Sequence, residues 1–261
     1  MKKARVRIII LIIIFLIIGF GVKFQGFKDE NFEHEKFGDN VVFYPQHQDD
    51  EVLWGGSAII EAVKKCGADN VYIVLVSDGS GVNVFDQIPK FKGIDRKEKE
   101  NLRNNEFKYA LKHLGIKSSN IIILADKSED KKPQYDLMEK TILGFENRFD
   151  SVTHIAQHYE YDNHPMHRKN GEVLKHLSDE GKVKDARYFV KPSYLKDIPK
   201  NKRDVYISKT VEDKAKIKGA LNSYRIKNEK KQLYGIGYIS SHKYFDHLYN
   251  DPQYKSILSR Y

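Results

Sequence analysis

The run Val71-Tyr72-Ile73-Val74-Leu75-Val76 constrains this chain more than any other stretch. An unbroken, largely β-branched segment of this length reads as a strand buried on both faces. Such strands belong to parallel sheets with helices packed on each side. The neighbouring segments fit that frame. Residues 40–45 predict a first strand, followed by a helix beginning near Val52 and closed by Gly67. Residues 96–114, ended by Gly115, predict a long helix, and residues 121–125 a third strand. Residues 137–149 read as helical, 153–157 as a strand, and 165–177 as a helix with Pro165 in its first turn. Residues 186–208 alternate enough for one or two further strands. A lysine-rich helix is expected over 211–227, and an aromatic, irregular tail over 234–261.

This alternation predicts an α/β fold with a doubly wound, mostly parallel sheet and right-handed crossovers. In such sheets ligands bind beyond the C-terminal ends of the strands. His47, Asp49, Asp50, Asp78, Asp126, His164 and His167 all follow expected strands, so one rim can gather them although they are far apart in the chain.

The N-terminus predicts something different. Lys2, Lys3, Arg5 and Arg7 precede residues 8–22, an isoleucine-, leucine- and phenylalanine-rich run interrupted only by Gly19 and Gly21. No small-residue cleavage signal follows. The expectation is an uncleaved signal anchor, a transmembrane helix within residues 1–27 with its basic end cytoplasmic. A linker over 28–39 would lead to a catalytic domain over 40–261 on the extracytoplasmic side of the cell membrane. A cleaved signal peptide is the alternative.

Charge and cysteine content narrow the partners. The formal charge of +9 arises from 45 basic against 36 acidic residues, with lysine scattered along the chain. A scattered excess suits anionic surfaces such as phospholipid or phosphate-bearing polymers. It is not an arginine-rich groove with interleaved aromatics, so nucleic acid is not the expected partner. Cys66 is the only cysteine, which excludes an internal disulfide and any multi-cysteine metal site.

The chemistry concentrates in His47-Gln48-Asp49-Asp50-Glu51. Acids here could simply favour the positive end of the next helix. They could also bind a cation. His47 and Asp50, three apart at a strand-to-helix turn, can hold one zinc ion, with His167 as a third ligand and a position left for water. Asp49 would then act as general base. His164, one turn from His167, would stabilise or protonate the tetrahedral intermediate. The other histidines, including His154 and His158, are expected to be structural or solvent-facing.

Gln46-His47-Gln48-Asp49-Asp50-Glu51 resembles the His-Pro-Asp-Asp-Glu signature of the PIG-L/LmbE-like deacetylases. Ser77-Asp78-Gly79 is similar to that family's second strand exit, Arg103-Asn104-Asn105-Glu106 to its Arg-x-x-Glu helix, and His164-Pro165-Met166-His167 to its second histidine motif. The resemblance implies a Rossmann-like three-layer sandwich and zinc-dependent hydrolysis of an N-acetyl group, often on an N-acetylglucosamine moiety. It implies His47, Asp50 and His167 as zinc ligands, Asp49 as base, His164 as partner of the oxyanion or leaving amine, and Arg103 as a substrate contact. Gln48 stands where the family usually has proline and Met166 where it usually has aspartate. The substrate expected is an N-acetylated sugar, anionic or lipid-linked, in a glycolipid, glycoconjugate or envelope polymer. Two other readings stay open: another zinc amide hydrolase of peptidase type, and a non-catalytic envelope-binding protein with a degenerate site. A His-Glu-x-x-His helix and a Gly-x-Ser-x-Gly elbow are both missing.

Overall fold

The structure, a computed structural model, describes residues 35–127 and 132–260. Its strands are β1 (Asn40–Phe43), β2 (Val71–Leu75), β3 (Ile121–Ile123), β4 (Val152–Gln157), β5 (Asp185–Phe189), β6 (Arg203–Tyr206) and β7 (Ser256–Arg260). They form one sheet in the order β3-β2-β1-β4-β5-β7-β6. Pairing is parallel from β3 through β5, and β7 runs antiparallel to both β5 and β6. The mostly parallel sheet is therefore present, with a mixed edge.

Helices cover both faces. They are α1 (Asp50–Cys66), α2 (Val84–Gln87), α3 (Arg96–Leu114), α4 (Tyr135–Arg148), α5 (Pro165–Asp179), α6 (Val211–Arg225) and α7 (Ile236–Asn250). The pleat of β1 shows how the layers arise, because successive side chains point to opposite faces. Val41 and Phe43 pack with Ile59 of α1, Phe107 and Leu111 of α3, and Ile217 and Leu221 of α6. Val42 and Tyr44 pack instead with Met138 and Ile142 of α4 and with Leu174 and Leu177 of α5. Two apolar clusters separated by one sheet make the three-layer sandwich.

The strand order fixes where a site can lie. The chain builds outward from β1 to β2 and β3, then returns to the other side of β1 to add β4 and β5. The crevice between the exits of β1 and β4 is thus the topological switch point, where doubly wound sheets bind ligands.

The irregular tail expected over 234–261 is overturned, since this stretch holds α7 and β7. The pattern was hidden because tertiary contacts define both elements. The α7 entrance is fixed from outside by the buried Glu106, whose carboxylate accepts the backbone N–H groups of Tyr234, Ile236 and Gly237 at 2.9–3.2 Å. In β7 the polar residues Ser256 and Ser259 are buried alongside Ile257 and Leu258, so burial leaves no apolar alternation to read. The described end of the segment expected as a linker packs onto the domain as well. Phe37 stacks on Tyr206 at 5.4 Å, and Arg187 donates to the carbonyls of Glu35 and Lys36. Among the described residues no helix is long and apolar enough to cross a membrane. The transmembrane expectation over residues 1–27 lies outside them.

Candidate metal centre

The loop after β1 and the loop after β4 meet at the switch point and bring three ligand-type atoms together. His47 Nδ1 lies 3.1 Å from His167 Nε2. Asp50 Oδ2 lies 3.4 Å from His47 Nδ1 and 3.3 Å from His167 Nε2. Two atoms each bonded to a tetrahedral zinc ion at its usual distances sit about 3.3 Å apart. All three edges of the observed triangle fall close to that length, and the donor set of two imidazoles and one carboxylate is one zinc takes. His47, Asp50 and His167 therefore fit the ion that the sequence implied.

Local structure explains how the triangle is set. His167 reaches the site because Gly171, on the same face of α5 one turn later, lets the helix press against the exit of β4. A Cβ at Gly171 would stand 2.3 Å from the carbonyl oxygen of Gln157. Behind His167, Nδ1 bonds Asp162 Oδ2 at 2.9 Å, which fixes the ring and turns Nε2 toward Asp50. Asp162 is held in turn by the ammonium of Lys191 at 2.7 Å, and Lys191 also reaches Asn163 at 2.7 Å. Asp50 Oδ1 accepts from the indole N–H of Trp54 at 3.0 Å, and Asp50 Oδ2 accepts the backbone N–H of His47 at 2.8 Å.

His164 also stands within the histidine group. It is the N-cap of α5, and its Nδ1 accepts the backbone N–H of Met166 at 3.2 Å. A neutral imidazole accepting at Nδ1 carries its proton on Nε2 and offers a donor there, not a lone pair. That separates His164 from the ligand-type atoms and suits it to meet a developing negative charge.

Asp49 is the strained residue of the site. Its φ of 114° is a conformation that non-glycine residues rarely adopt and that persists only where surroundings enforce it. The enforcing contacts are visible. Its backbone N–H donates to Glu51 Oε2 at 3.0 Å, and the fully buried Glu51 is anchored by the Tyr224 hydroxyl at 2.6 Å. On the other side Arg103 donates to the Gln48 carbonyl at 2.5 Å and lies 3.7 Å from Asp49 Oδ2. Ser241 of α7, at a kink where φ is −134°, reaches Asp49 Oδ2 at 3.4 Å.

Gln48 sits where the resemblance leads one to expect proline, and it is fully buried. Its amide donates to the Asp78 carbonyl and to Asn104 Oδ1, both at 2.8 Å. Gly79, at φ 66°, is the residue that lets it in, since a Cβ there would lie 2.0 Å from Gln48 Oε1. Hydrogen bonds thus fix the loop where a proline ring would.

Burial is the largest single influence on each of these groups, but at Asp50 and His167 the neighbouring charges together outweigh it. It raises Asp49 to about 7, with the Arg103 guanidinium pulling the other way, and raises Glu51 to about 8 against the Tyr224 hydrogen bond. Asp50 stays well below the usual carboxylate range because both imidazoles outweigh its burial. Burial lowers His47 and, with the charge of His167, brings His164 down to about 4. His167 is also buried, yet Asp50 and Asp162 raise it to about 9. A cation there needs the bare Nε2 of His167, so its uptake displaces a proton.

The structure brings together His47, Asp49, Asp50, His164 and His167 as the sequence placed them. It puts Arg103, expected to touch substrate, at 1% exposure with its guanidinium committed to the loop and Ser240. Asp78 is engaged by Arg96 and Ser80, and the more exposed Asp126 pairs with Lys97 at 2.8 Å. Sequence reading missed Asp162, Lys191, Trp54 and Ser241. Lys191 had a usable signal, since it follows β5 and so lies on the same rim.

The family PIG-L, described as GlcNAc-PI de-N-acetylase, matches residues 41–178. No curated protein sequence matches. Solved structures with a similar fold include N,N'-diacetylchitobiose deacetylase from Pyrococcus horikoshii, at 16% identity and TM-score 0.54 over 80% of this chain and 76% of that one. The A40926 pseudoaglycone deacetylase Dbv21 has 14% identity and TM-score 0.56 over 85% and 96%. The zinc-inhibited form of teicoplanin deacetylase Orf2 has 16% identity and TM-score 0.56 over 84% and 97%.

Proposed function

The chain belongs to the PIG-L family of zinc-dependent deacetylases, and on that premise we propose that it removes the acetyl group from an N-acetylglucosamine-type sugar at the β1–β4 crevice. The observation that carries the assignment to these residues is the His47–Asp50–His167 triangle with Asp49 held beside it. Zinc bound there supplies Lewis acidity toward a water nucleophile and an amide carbonyl. The chain supplies the rest. His47, Asp50 and His167 hold the ion, and Asp162 keeps His167 oriented with its Nε2 inward. Asp49 takes the proton of the attacking water, and its enforced backbone conformation aims the carboxylate without reorganisation during reaction. His164 donates from Nε2 to the oxygen that becomes negative as the carbonyl is attacked. Arg103 acts as a positioning residue, gripping the Gln48 peptide beside Asp49.

The substrate we infer is a glycolipid, glycoconjugate or envelope polymer. The scattered basic charge supports an anionic or lipid-linked carrier, and residues 1–27 support attachment to the cell membrane with the catalytic domain outside. The test is zinc content together with acetate release from N-acetylated glycans, with peptide cleavage as a control. Asp49→Asn should keep zinc while turnover falls by about 10²–10⁴-fold, and His167→Ala should lose zinc. Full zinc and full turnover in both variants would sink the assignment.

A further inference from the structure

Tyr244 is the large aromatic residue that α7 exposes beside the metal centre. It is 41% exposed, yet its ring is held. It meets Trp54 edge to face, with centroids 5.0 Å apart and planes at 73°. The Lys191 ammonium lies 5.6 Å from its centroid and 5.4 Å from that of Trp54. Both neighbours belong to the ligand shell: Trp54 donates to Asp50, and Lys191 pairs with Asp162 behind His167. Tyr244 also follows Ser241, which touches Asp49, by three residues on the same helix.

We propose that Tyr244 is the stacking platform of a sugar-binding subsite that seats a pyranose ring of the substrate against the metal centre. This rests on the deacetylase reading and extends it to the part of the substrate that does not react. The C–H face of a pyranose is weakly positive and packs on the electron-rich face of an aromatic ring, and a ring already fixed by neighbours loses little entropy when covered. A lone tyrosine amid polar groups suits a sugar face and gives no broad apolar area for an acyl chain. Tyr249, the other exposed tyrosine of α7, has Arg225 stacked on it at 5.1 Å and no tie to the ligand shell.

The chain contains one tryptophan, Trp54, so tryptophan emission arises from the ring that Tyr244 touches and from no other. The full-length, zinc-loaded protein and its Tyr244→Ala and Tyr244→Phe variants would be titrated with N,N'-diacetylchitobiose by calorimetry, with Trp54 emission followed in parallel. The expected result is a saturable change in emission in the wild type. Kd should rise about tenfold in Tyr244→Ala and recover most of the way in Tyr244→Phe, which keeps the ring. Zinc per chain should be equal in all three. Undiminished binding by Tyr244→Ala, a Phe variant as weak as the Ala variant, or a wild type that does not bind the disaccharide overturns the subsite. Ring-dependent binding without acetate release leaves the subsite standing and removes the deacetylase reading.

Discussion

Toward the start of β5, Asp185 and Arg187 form a network in which Arg187 is 1% exposed and every N–H of its guanidinium has an acceptor. Asp185 takes two, at 3.0 and 2.9 Å, the carbonyls of Glu35 and Lys36 take two, and the Tyr206 hydroxyl lies at 3.5 Å. Just past the other end, Lys191 supports Asp162, and through it His167, in a cluster where two imidazole nitrogens and a carboxylate oxygen stand within 3.4 Å of each other. Both regions bury charge, one on β5 and the other just beyond its end. The first is closed, with donors matched to acceptors. The second turns lone pairs onto one point, which is costly unless a cation or a proton occupies it. Matched networks hold a fold, whereas convergent lone pairs make a site.

The largest effect expected from testing that contrast is at the closed end. Arg187→Leu leaves Asp185 without its cation and Asp204, 3.9 Å from Arg187, with Arg260 alone, and should destabilise the fold by about 3–5 kcal/mol in urea unfolding. Zinc per folded chain should stay as in the wild type; a parallel loss of zinc would show that the two ends are not independent. Next comes Asp162→Asn, which should leave the fold in place but weaken zinc about 10–100-fold in competition with a chromophoric chelator. Unchanged affinity would mean that Lys191 and Asp162 do not orient the ligand.

The smallest effect is in pH. His158, at the exit of β4, is brought down from 6.5 to about 4 by burial, against the pull of Asp162. Between those values the unfolded chain binds a proton that the folded chain does not, so stability falls as pH falls. Zinc-free protein should lose roughly 1–2 kcal/mol from His158 between pH 6.5 and about pH 5. His158→Gln should flatten that loss in thermal unfolding. An equally steep loss in the variant would place the acid sensitivity elsewhere.

Legibility in the sequence follows the same division. His47, Asp49, Asp50, His164 and His167 were readable because each follows a strand of a parallel sheet, and such a sheet has one productive rim. The role of Arg103 was not readable, since the same Arg-x-x-Glu spacing serves a substrate contact or a clamp. Burial at 1% and a 2.5 Å bond to the Gln48 carbonyl place it in the loop's support. Glu106, three residues on, caps α7 from a distant element, a partnership that spacing along the chain cannot reveal. Tyr244 was lost in a stretch read as irregular.

The sequence alone determined the layered α/β architecture, through β-branched runs buried on both faces, and the identity of the ligand-type residues, through their place after strands. Those follow from periodicity and chain order, which are local properties. Only the tertiary structure decided which groups share a proton, which are enclosed, and which face solvent. It gave Asp49 its backbone conformation, His164 its donor nitrogen and His167 its supporting carboxylate. The bonds nearest to these residues are local, but what holds them comes from far along the chain: Arg103, Tyr224 and Ser241 around the Asp49 turn, and Lys191 behind Asp162, where burial and the nearest charge set the energy.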